Sequence, residues 1–206
     1  MGKYDKLTGE VVDDILNIVK KVKNSKEQEE YLFYDKPLDF FLSVKIQMGE
    51  IKNSSFKYDA GQFYDEEADM SYIVVDLVID SAKKFKFYNK LNAVLQDLVR
   101  HEIEHLTQYG VNQKLGKPLG NRKLRERYSK RGREEYKYYI MDDEIPAMVN
   151  GLYRKAKHLK VPLVDLFNDN LDELEKLRII RKKINRNEIL DKWIEYTKKY
   201  LPKAQL

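Results

Sequence analysis

Residues 87–109 read FYNKLNAVLQDLVRHEIEHLTQY, and this stretch decides the fold. Leu91, Val94, Leu95 and Leu98 recur at spacings of three and four, the period of a helix with one apolar side. The same steps carried forward reach His101 and then His105. The two imidazoles therefore share one face, a turn apart. Gly110 follows and is the expected stop, since glycine is favoured just past a helix C-terminus.

The chain has only three histidines, and two of them flank Glu102, Ile103 and Glu104. Imidazoles at i and i+4 can bring two nitrogens to one metal ion at about 2 Å. A carboxylate beside such an ion can act as a general base. The five residues read both H-E-x-x-H and, with the acid one place later, H-x-x-E-H. At 100° per residue, Glu102 and Glu104 fall almost symmetrically on either side of the two histidines. Spacing alone leaves the base open; the commoner forward pattern favours Glu102.

Composition narrows the chemistry. The chain has 206 residues with 42% hydrophobic and 12% aromatic content, enough for a real core. It has no cysteine, which excludes disulfides, thiolate metal sites and cysteine nucleophiles. A zinc site here must use His, Glu, Asp and water, the donor set of a catalytic site. The N-terminal MGKYDKLTGEVVDD lacks an apolar signal core, and no run reaches membrane-spanning length. A cytoplasmic protein with no membrane partner is expected. Net charge is +5, but residues 112–137 alone hold ten Lys/Arg against three Asp/Glu. That segment is a candidate surface for nucleic acid or an acidic partner.

Outward from the motif, residues 9–23 have the pattern of an amphipathic helix. Residues 38–47, 54–64 and 71–79 read as strands, the last rich in β-branched residues and apolar enough to be mostly buried. Residues 65–69 (DEEAD) read as an acidic turn. Helices are expected over 142–160, 163–182 and 187–200, with Pro146 tolerated in a first turn. This order predicts an α+β domain over residues 1–160, a small mixed sheet packed on the motif helix, and a helical extension over 161–206.

A catalytic zinc takes three protein ligands and keeps one open position. Gln108 and Val111 exclude a third histidine in the extended H-E-x-x-H-x-x-G-x-x-H pattern. Glu144 is the best third ligand. It opens the next amphipathic helix, with Ala147, Met148 and Gly151 giving that helix a small-sided face. Asp143 is the alternative, and helix capping by Asp142 or Asp143 is the competing role for these acids. His158, 14 residues beyond Glu144 and among lysines, reads as a surface residue.

The segments LVRHEIEHLTQ (98–108) and DEIPA (143–147) resemble the gluzincin-type zinc metallopeptidases, in particular small ones encoded by bacteriophages. The resemblance spans roughly residues 70–158. It implies a zincin-like fold, Zn2+ held by His101, His105 and Glu144, Glu102 as base, and hydrolysis of a protein or peptide substrate. It also implies residence in the host cytoplasm or in a virion. An oxyanion donor would come from Tyr136, Tyr138, Tyr139 or Tyr153, and the substrate would extend along a sheet edge at residues 71–79 or a neighbour. The rival reading is a non-enzymatic virion-associated or nucleic-acid-binding protein on the same scaffold.

Overall fold

The computed structural model describes residues 4–21, 29–35, 40–51, 54–65, 70–80, 87–114, 127–128, 132 and 134–206. The chain divides into two compact units, Met1–Leu106 and Thr107–Leu206. The expected boundary after residue 160 lies inside the second unit.

The first unit is α+β. Helix α1 (Asp5–Lys21) is followed by strands β1 (Glu29–Asp35), β2 (Phe40–Gly49), β3 (Phe56–Asp65) and β4 (Met70–Asp80), then by α2 (Tyr88–Lys114). The strands form one mixed sheet in the order β1-β2-β4-β3. β1 runs antiparallel to β2, β2 parallel to β4, and β3 antiparallel to β4. The acidic connection at residues 66–69 lies outside the described residues.

β4 is central, paired on both sides. Ile73, Val75, Leu77 and Ile79 are buried on one face, while Val74 and Val78 on the other are half-buried. Asp76, on the same face as Val74 and Val78, is exposed, so the strand is buried fully on one face only. Its pairing on both sides means that residues 71–79 offer no free edge; β1 and β3 are the edges. Val12, Ile15, Leu16 and Val19 of α1 join the same core, together with Leu42, Val44 and Ile46 of β2 and Leu91, Leu95, Val99 and Ile103 of α2. Each such side chain contributes roughly 1.5–3 kcal/mol by leaving water.

Helix α2 does not stop at Gly110; it continues to Lys114. A glycine inside a helix costs only about 1 kcal/mol, and the following Val111, Asn112, Gln113 and Lys114 contain no proline to end it.

The second unit is helical. A 3-10 turn (Glu135–Ile140) precedes α3 (Glu144–Leu159), α4 (Leu163–Lys176) and α5 (Lys183–Tyr200). Phe167 and Trp193 are both fully buried, and their rings meet at 5.3 Å between centroids. The Trp193 indole N–H donates to the Tyr139 carbonyl at 3.1 Å, which ties the 3-10 turn to α5. Helix α4 ends at Lys176 rather than at 182. Arg178 turns left-handed there (φ 61°), and Ile180 is buried. Among the described residues no helix is long and apolar enough to cross a membrane.

Candidate metal centre

Helix α2 places its most buried residues on the line Leu91, Leu95, Val99, Ile103, with Leu106 beside it. The histidines lie at the edge of this stripe: His105 is buried and His101 is half-buried. Their Nε2 atoms face each other at 3.0 Å. Two imidazole nitrogens at that distance repel unless one carries a proton or both direct lone pairs at a cation. An ion about 2.0–2.1 Å from both would see them at an angle of about 95°.

Burial breaks the apparent symmetry of the two glutamates. Glu102 turns toward the core stripe and is only 6% exposed. Glu104 turns the other way and accepts a hydrogen bond from Arg100 Nη2 at 2.7 Å. The side chains of that pair are 8% and 16% exposed, and the guanidinium also lies 5.6 Å from the centre of the Tyr4 ring. Glu104 is thus held by a structural cation one turn back on its own helix. Glu102 is a carboxylate buried on an otherwise apolar line, where a charge costs energy unless its contacts offset it.

Glu144 is the first residue of α3 and has no solvent exposure. Asp143 precedes it in helical backbone geometry and makes no side-chain cap, so capping does not account for it. Ala147 and Gly151 are buried on the same helix and Met148 is half-buried. His101, His105 and Glu144 each offer one donor atom, all within 4.8 Å of one another. Ligands sharing one tetrahedral ion sit about 3.3 Å apart. Two imidazoles and a carboxylate without thiolate are a donor set suited to a divalent transition ion. This buried cluster could hold a metal ion. His158 is exposed and belongs to no such group among the described residues.

Tyr139 lies near this acid. Its phenol is pushed up to about 12, first by burial and then by the negative charges of Glu135 and Glu144. Tyr136 is raised as well, by burial and by Glu188. Tyr138 packs edge-on against Tyr139, and Tyr153 lies under the Lys157 ammonium. Of the basic segment, residues 115–126, 129–131 and 133 lie outside the described residues. Arg127 and Lys137 both pair with Glu134, whose carboxyl they hold below its ordinary value, and both lie over the Tyr128 ring.

The Arg100–Glu104 pair was legible from the sequence as an i, i+4 couple of opposite charge. The burial of Glu102 was legible too, had the stripe been followed through Val99 and Ile103 rather than through the histidines. Comparisons with known protein families, with curated proteins and with solved structures return no match.

Proposed function

We propose that the chain is a zinc-dependent hydrolase of peptide bonds, with His101, His105 and Glu144 as metal ligands and Glu102 as general base. The observation that carries this reading is the pair of Nε2 atoms 3.0 Å apart on an H-E-x-x-H helix, with a buried glutamate among the donors. Zinc bound there would supply Lewis acidity and a water acidified toward neutral pH.

The residues divide the remaining work. Glu102 takes the proton of the attacking water and delivers it to the departing amine. Glu104, bound to Arg100, orients the helix turn that carries His101 and His105. Tyr139 keeps its proton at any neutral pH, because its phenol titrates near 12. It can therefore donate a hydrogen bond to a developing oxyanion. A substrate strand can add at a sheet edge, for which β3 or β1 is suited and β4 is not.

The test is cleavage of an unstructured protein by the purified chain, with and without chelator. Loss on chelation, return with zinc, and loss in Glu102→Gln with metal retained support the reading. A zinc-loaded protein that cleaves no unstructured protein or peptide library contradicts it and favours the non-enzymatic alternative.

A further inference from the structure

The turn between α4 and α5 carries a surface that the proposed site does not use. Residues 176–186 read KLRIIRKKINR, with six cations and no acid. α4 and α5 run back past each other. Arg186 pairs with Asp172 at 2.8 Å, while Trp193 further along meets Phe167. The turn is therefore the tip of a helical hairpin. Lys176 is paired with Glu173, and Arg186 with Asp172 and Glu175. Arg178, Arg181, Lys182 and Lys183 are exposed and form no ion pair among the described residues.

Between these cations stand two large aliphatic side chains in water. Leu177 is 68% exposed and Ile184 is 71% exposed. They are the two most exposed large hydrophobics among the described residues. Single exposed apolar residues are ordinary. Two in one short turn, interleaved in sequence with four exposed cations, are less so. The backbone at the same place is strained, since Arg178 adopts a left-handed conformation that glycine would adopt freely.

We propose that this tip docks on an anionic lipid surface, with Leu177 and Ile184 entering the interfacial layer and Arg178, Arg181, Lys182 and Lys183 meeting lipid phosphates. Cations with interleaved aliphatics match a surface that is both charged and apolar within a few ångströms of depth. Nucleic acid is the poorer match. Residues 176–186 contain no aromatic side chain to stack on bases, and phosphates give exposed leucine and isoleucine nothing to bury against. Long basic side chains can lay their stems along the aliphatic pair while their heads reach the phosphates.

The experiment is co-sedimentation of the full chain with phosphatidylcholine vesicles and with vesicles containing about one third phosphatidylserine. The wild-type chain binds the anionic vesicles, binds plain phosphatidylcholine far less, and is released by salt. Each basic residue near such a surface contributes about fivefold, so Arg178→Gln, Arg181→Gln, Lys182→Gln and Lys183→Gln together weaken binding at least about 100-fold. Leu177→Ser with Ile184→Ser, all charges kept, weakens it about tenfold or more. All six positions are exposed, so circular dichroism should show both variants folded. Three results overturn the proposal. The first is equal binding to the two vesicle types. The second is anionic binding that survives the four-charge variant. The third is binding indifferent to the loss of both aliphatics; if a DNA duplex in solution then competes with vesicles, the patch is a nucleic-acid surface.

Discussion

Changing Glu102 and Glu104 to glutamine, one at a time, should separate catalysis from stability in opposite directions. Glu104 accepts a 2.7 Å hydrogen bond from Arg100, and both side chains are largely buried. Glu104→Gln keeps an acceptor but removes the charge. A charge-assisted hydrogen bond of about 1.5–3 kcal/mol becomes a neutral one of about 1 kcal/mol. The guanidinium is then left buried without its counterion, and losing a partner of a fully buried pair costs about 3–5 kcal/mol. With the residual exposure of this pair, about 2–3 kcal/mol is the expected loss. For a chain of this length that lowers Tm by about 4–12 °C. Glu102→Gln removes the charge of a largely buried carboxylate while keeping its shape, so Tm should fall less than in Glu104→Gln. Hydrolysis should fall by at least about 100-fold, the general-base contribution. Thermal melts by circular dichroism, zinc content and cleavage of an unstructured protein read the three effects. If Glu104→Gln abolishes cleavage at unchanged Tm while Glu102→Gln stays active, the assignment is reversed and the site runs in the H-x-x-E-H sense.

Tyr139 should shape the alkaline limb of stability. Its folded phenol is raised to about 12, so the folded state holds its proton after the unfolded state has lost it. This contribution is complete below about pH 10 and is lost as pH rises toward 12, on the order of 2 kcal/mol; Tyr139→Phe should flatten that limb in pH-dependent melts. Trp193→Ala should lower Tm steeply. It empties a fully buried site against Phe167 and removes the hydrogen bond to Tyr139, a loss of about 3–5 kcal/mol; a change below about 1 kcal/mol would refute the packing described for the helical unit. Replacing Arg122, Lys123, Arg125 and Arg127 with Ser should leave zinc content and Tm nearly unchanged. The Arg127–Glu134 pair is solvent-exposed and contributes under about 1 kcal/mol. Binding to nucleic acid or an acidic protein should weaken and lose salt dependence; unfolding would show that the segment is scaffold.

What could be read in advance follows the local signals. α1, β2, β3, β4 and the core of α2 declare themselves through period and β-branched content, and the structure places them within a few residues of the expected bounds. β1 was missed. Its YLFYD carries three aromatic residues, Tyr31, Phe33 and Tyr34, but the run does not alternate cleanly and its flanks are charged. The early end of α4 was not legible either, because residues 177–182 contain no glycine or proline. The chain turns through a strained arginine and the burial of Ile180, both consequences of tertiary packing. Strand order is non-local by nature, so the parallel pairing of β2 with β4 had no local signal. In the candidate site, the histidine pair is a property of one helix and could be read directly. The approach of Glu144, 39 residues after His105, could be argued from chemistry but not from periodicity.

The most direct test of the central claim is elemental analysis of the chain purified without chelator, followed by uptake from zinc-buffered solution. The account predicts about one zinc per chain, with none retained by His101→Ala or His105→Ala and markedly weaker retention by Glu144→Ala. A folded wild-type chain that carries no zinc and takes none up would contradict it.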